Sequence, residues 1–137
     1  MGEEVVMRGY LLQTLSARPR LSVWVSAAVF TVPHLMSEGG QQGWVEHLTY
    51  LAAPFGFAVS AAFLAILLRS VWAAVGVHGG FHVGTWVTGL MGVPDGVMGS
   101  PVMWVVLGAV HLVVGLALAG RVTPERWAEV AARGPYG

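Results

Sequence analysis

WVEHLTYLAAPFGFAVSAAFLAILL, residues 44–68, carries one carboxylate near its start and is then almost wholly apolar. At about 1.5 Å of rise per residue, such a run is long enough to cross a hydrocarbon core of about 30 Å with some tilt. Arg69 ends it. Further apolar runs lie on both sides: Val5 to Ala17, closed by ARPR, where Arg18 and Arg20 flank Pro19; Leu21 to Met36; Ser70 to Val93; and Pro101 to Gly120. The connections have turn chemistry, with SEGGQQG at 37–43 and PDG at 94–96. The expectation is an all-α membrane protein, a bundle of about five transmembrane helices over residues 1–120. Residues 121–137 read as a short amphipathic tail. There Thr123 can cap a helix with Pro124 at its first position and Glu125 behind it, and Gly134 ends it.

Composition agrees. Hydrophobic residues make up 55% of the chain and charged residues 10%, with mean hydropathy +0.68, against about 25% charged in ordinary soluble domains. Seven basic residues, all Arg, balance seven acids, so there is no electrostatic footprint for nucleic acid. Cysteine is absent, which excludes disulfides and thiolate metal sites and leaves His and carboxylate as the strong ligands. Two acids at positions 3 and 4 stand where a signal peptide would be basic, so a cleavable leader is not expected. Trp24, Trp44, Trp72, Trp86 and Trp104 fall toward segment ends, as an aromatic belt does. Arginines 18, 20, 69, 121, 126 and 133 occupy alternate connections, the others carrying Glu38, Glu46 and Asp95, so the arginine side reads as cytoplasmic.

Within this apolar chain stand three polar constellations: GEEVVMRGY at 2–10, FTVPH at 30–34 and HGGFH at 78–82. A charged residue at membrane depth costs about 2.5–3.5 kcal/mol on insertion scales, so such groups usually mark function. Glu4 and Arg8 are one helical turn apart and can pair, while Glu3 is rotated by about 100° and left free. The plainer reading makes both glutamates first-turn acids favoured by a helix dipole. His78 and His82 share a face at i,i+4, a metal-ligand spacing without the Glu of HExxH. Gly76, Gly80 and Gly84 form a small-residue stripe elsewhere on that helix, expected to pack closely. His34 follows Phe30 by one turn and gains a site role from the company of the other motifs. His47, beside Trp44, and His111, with no polar company on its own helix, read as structural.

GEEVVMRGY, Phe30-x-x-x-His34 and His78-x-x-x-His82, in that order, resemble the three motifs of the CPBP family of intramembrane metalloproteases, which includes CAAX prenyl endopeptidases and bacteriocin-processing enzymes. The resemblance implies a helical membrane core with a buried Glu/His site, in a bacterial or archaeal plasma membrane. Its catalytic set would be Glu3, Glu4, Arg8, His34, His78 and His82. Glu3 would be the general base, with Glu4 assisting, held by Arg8. His34 and His78 would bind a metal or steady the oxyanion, and Glu4, His34, His78 and His82 are the candidate ligands of a divalent metal, zinc. The substrate would be a membrane-associated or prenylated peptide. His82 stands where the family commonly has Asn, and could be a third histidine ligand. Members usually carry helices before the first motif, so a shortened form is implied. Two other classes stand beside this reading. A bis-His haem cytochrome could draw axial ligands from His34, His78, His82 and His111 but gains nothing from paired carboxylates. A degenerate, non-catalytic relative would act as a membrane scaffold.

Overall fold

A computed structural model describes residues 2–37 and 41–137, and all regular structure among them is helical. Glu38, part of the expected 37–43 loop, lies outside the described residues. The first helix, α1, runs through Gly2–Glu4, a π-helical Val5–Leu11 and Leu12–Thr14. It therefore begins before the expected Val5, includes both glutamates and stops short of Ala17. Arg18 leaves the helical region (φ −125°, ψ 71°), which proline disfavours in the residue before it, and Pro19 opens α2, Pro19–Thr31. Pro33 lacks the N–H that would continue α2, so the chain tightens into a 3₁₀ turn, Val32–Met36, which carries His34.

The long apolar run is divided into α3, Trp44–Tyr50, and α4, Ala52–Leu68, with a break at Leu51. Arg69 closes α4 in the left-handed region at φ 53°. Ser70 caps α5, Val71–Leu90, by accepting from the Trp72 N–H at 3.2 Å. A single turn, α6, Asp95–Met98, replaces the expected PDG loop, and Ser100 caps α7, Pro101–Ala119. The tail forms α8, Pro124–Arg133, capped by Thr123 accepting from the Arg126 N–H at 3.2 Å.

The centre of the fold is α4. Its residues Ala58, Val59, Ala61, Ala62, Ala65 and Ile66 are completely buried. It meets α7 at backbone distance: a Cβ added to Gly56 would overlap the Gly108 carbonyl, and one on Gly108 would overlap the Ala52 carbonyl. In lipid, such close approach takes the place of a hydrophobic drive between helices. The expected stripe of Gly76, Gly80 and Gly84 does no such packing. A Cβ at any of the three would meet nothing within 4 Å, because α5 buries only Ala74, Val75 and His78. Trp104 also departs from the expected belt: it is buried, edge-on to Tyr50 at 5.3 Å.

Two helices among the described residues are long and apolar enough to cross a membrane, Trp44–Leu68 (taken as one run) and Pro101–Ala119. The other expected spans are either short or interrupted by polar residues. The amphipathic tail folds back on the arginine side. Val130 is fully buried, Trp127 meets Phe63 edge-on at 6.2 Å, and the Arg126 guanidinium donates to the Ile66 carbonyl at 2.9 and 3.1 Å, capping the end of α4. Gly134 has φ +85°, a conformation that favours glycine, and lies against the end of the Gln13 side chain.

Candidate active site

Glu4 and Arg8 sit one turn apart on α1 and are both fully buried, with Arg8 Nη1 3.1 Å from Glu4 Oε2 and donating to Oε1 at 3.2 Å. The arginine is fixed at two further points. Its Nη2 donates to the Ala58 carbonyl on α4 at 3.0 Å, and its guanidinium lies 4.6 Å over the Phe30 ring. Across from it, His78 Nδ1 stands 3.1 Å from Glu4 Oε1. One carboxylate is thus clamped between a guanidinium and an imidazole, joining α1 to α5.

The hydrogen bonds define the tautomers of the neutral histidines. A carboxylate can only accept, so His78 donates from Nδ1 and, in its neutral form, keeps the lone pair on Nε2. His34 Nδ1 lies 2.9 Å from the Phe30 carbonyl, another obligate acceptor, with the same result. His111 Nδ1 is 3.1 Å from Ser60 Oγ. Ser60 spends its one proton on the Phe57 carbonyl at 2.9 Å, so it must accept from His111, whose Nε2 is bare as well. His82 is exposed and stacks on His78, centroids 4.9 Å apart and planes 20° apart.

All four histidines line a cavity of about 240 Å³, with Phe30, Tyr50, Phe57, Phe81 and Trp104 supplying much of its apolar wall. The cavity joins α2, α3, α4, α5 and α7. Of the residues expected at the site, Glu4, Arg8, His34, His78 and His82 are therefore gathered at or against one cavity. Glu3 is exposed and does not line it. His47 is also apart, its Nδ1 3.2 Å from the Gly43 carbonyl and its ring 6.1 Å from Trp44.

The expected metal ligands do not form a coordination group. Among the described residues, no three His, Asp or Glu side chains come together closely enough to hold an ion. Glu4 is committed to Arg8 and His78, and the Phe30 ring packs on both His34 (4.8 Å) and His78 (6.0 Å). What the cavity offers is a set of imidazole nitrogens with the fixed Glu4 carboxylate behind His78, while the free Glu3 carboxylate lies outside its lining.

Sequence reasoning missed His111, Ser60 and Tyr50 as cavity or supporting residues. Ser60 and His111 are isolated polar groups in very apolar helices, the signal already used for His78, but their partnership spans α4 and α7 and only the fold brings it together.

A family model described as Rce1-like, type II CAAX prenyl endopeptidase, matches residues 1–84, a stretch that includes all three motifs and ends before α7. No curated protein and no solved structure matches the chain.

Proposed function

The chain belongs to the Rce1-like family of type II CAAX prenyl endopeptidases, membrane-embedded proteases acting on prenylated peptides, and from that premise we propose that it is an intramembrane endopeptidase hydrolysing a peptide bond in a lipidated or membrane-associated tail. The observation that carries this reading is the buried clamp on Glu4. Arg8 and His78 together occupy that carboxylate, which leaves Glu3 as the uncommitted member of the pair.

In this mechanism the apolar wall receives the lipid-borne substrate, and the bare Nε2 of His34 or His78 accepts one hydrogen bond from a water molecule and orients it, the second water proton being left for Glu3. Glu3, exposed at the start of α1 and outside the cavity lining, turns in to take the water proton as the oxygen attacks the scissile carbonyl carbon, and returns it to the leaving amine as the C–N bond breaks. Glu4 keeps His78 in the tautomer that can accept. The bundle of about five spans implied by the apolar runs would hold this cavity within the bilayer. A divalent metal, implied by the family resemblance, has no assembled ligand group among the described residues, and the steps are written without it.

Cleavage of a prenylated peptide by detergent-solubilised protein tests the reading. Wild type should release the C-terminal fragment, and Glu3→Gln should lose about 10²–10⁴ in rate through loss of the base. Activity that survives a strong chelator supports the metal-free form. A stoichiometric bis-His haem spectrum would favour a cytochrome, and an inactive wild type that still binds the peptide would favour a scaffold.

A further inference from the structure

The turn of α1 that carries Arg8 has more carbonyls than amides. The Leu12 N–H reaches back five residues to the Met7 carbonyl, the π-helical register, whereas the Leu15 N–H reaches back four, to Leu11. Between these two bonds the amides of Gln13 and Thr14 serve the carbonyls of Arg8, Gly9 and Tyr10, two donors for three acceptors. A carbonyl withdrawn from water needs a partner, and here side chains make up the shortfall. Thr14 Oγ1 donates to the Tyr10 carbonyl at 2.8 Å. The Tyr136 hydroxyl, 128 residues further along the chain, donates to the Arg8 carbonyl at 2.7 Å.

The residues on either side of Tyr136 deliver it to that point. Before it, the fully buried Pro135 gives its carbonyl to the Arg126 guanidinium; after it, the Gly137 carbonyl accepts from Arg69 Nη1 at 3.1 Å. Both arginines are tied to Glu129, and Arg126 also to the Ile66 carbonyl on α4. The residue that the phenol holds is the one whose side chain grips Glu4, and Glu4 stands 3.1 Å from His78 Nδ1.

The register of the turn decides that last contact. A return to four-residue hydrogen bonding would remove the shortfall and rotate everything before the turn by about 100°, the angle of one residue. Glu4 lies before the turn and His78 on α5, so the rotation would carry the carboxylate off the imidazole.

We propose that Tyr136 is a positioning residue of the site: its hydroxyl, bonded to the Arg8 carbonyl, holds α1 in the five-residue register and so keeps Glu4 on His78. The effect on rate rests on the peptidase reading above, whereas the effect on His78 stands apart from it.

The test is Tyr136→Phe, which removes only the hydroxyl and should melt close to wild type. Two readouts are taken: cleavage of a prenylated peptide, and the ¹⁵N spectrum of histidine-labelled protein in detergent, with the His78 signals assigned by their loss in His78→Gln. A neutral imidazole gives distinct shifts for its protonated and bare nitrogens, so the spectrum reports the tautomer. Wild type should carry the His78 proton on Nδ1. In Tyr136→Phe a second population protonated on Nε2 should appear, as it should in Glu4→Gln, and kcat should fall about 10–100-fold while KM moves less than about twofold. Wild-type kcat in Tyr136→Phe, or a lowered kcat with the His78 tautomer unchanged, would overturn the role. A wild type that does not cleave overturns the peptidase reading alone, and the spectrum still decides Tyr136: a shifted tautomer upholds its role and an unshifted one ends it.

Discussion

Glu4 and Arg8 meet at 3.1 Å with both side chains fully buried, whereas Glu129 and Arg69 meet at 2.7 Å with side chains 24% and 51% exposed. The second pair has the better geometry, two parallel N–H···O contacts of 2.7 Å, and a further guanidinium, Arg126, at 2.9 Å. It also contributes little, because water screens it and would solvate either partner alone. The first pair is desolvated, and attraction at low dielectric only offsets the loss of hydration. Among the described residues Arg8 Nε has no hydrogen-bond partner, so the burial is not fully compensated there. Stability alone does not account for such a pair. Its arrangement is explained by what it fixes, a carboxylate held against His78 at the wall of a cavity.

The largest effect expected from this contrast is in Arg8→Met. Removing one partner strands a buried carboxylate, and the variant should lose about 3–5 kcal/mol of stability, read as a lowered melting temperature in detergent. Replacing both partners, as Glu4→Leu with Arg8→Met, should recover most of that stability and none of the cleavage, because an apolar pair packs but cannot hold His78. Recovery of activity by the double variant would break the comparison.

Packing gives the next effect. Gly108→Val drives a side chain into the Ala52 carbonyl and should cost about 1–3 kcal/mol, while Gly80→Ala meets open space and should leave the melting temperature unchanged or slightly raised. A reversed ranking would mean that α5, rather than α4 with α7, provides the close contact.

The smallest effects belong to the tail. Glu129→Gln should barely move the melting temperature. Arg126 and then Arg69 hold the Glu129 carboxyl below its ordinary range, against a smaller upward push from burial, so whatever this contact adds is present at neutral pH and fades as pH falls through the carboxylate range. Tyr136 behaves in the opposite sense. Burial, with the Glu4 charge adding to it and Arg8 opposing, raises its phenol to about 12, and its hydroxyl donates to the Arg8 carbonyl at 2.7 Å. The raised value means that its contribution is complete below about pH 10 and is lost as pH climbs toward about 12, which tyrosinate absorbance can follow. Ionisation of Tyr136 near pH 10 would show that the tail does not seal against α1.

The same contrast explains how far the sequence could be read. The all-helical class, the Thr123–Pro124 start of α8 and the Glu4–Arg8 pairing follow from local rules, and each is present. The break at Leu51, the burial of Trp104 and the partnership of Ser60 with His111 depend on which helices meet, and no period in one segment encodes them. Glycine misled for the same reason. Gly76, Gly80 and Gly84 make the more regular pattern, yet the contact is made by Gly56 and Gly108, which lie on different helices. At the site, sequence brought three motifs together and already set Glu4, paired with Arg8, apart from a free Glu3. Burial separates them, with Glu4 fully enclosed and Glu3 exposed.

That separation is the central claim, and the rates of Glu3→Gln and Glu4→Gln on a prenylated peptide test it most directly, with melting temperature measured on the same samples. Glu3→Gln should melt as wild type does and lose about 10²–10⁴ in kcat, whereas Glu4→Gln should lower both stability and rate, since it strands Arg8 and releases His78. Full activity in Glu3→Gln, or a Glu4→Gln protein that keeps wild-type stability, would contradict the account.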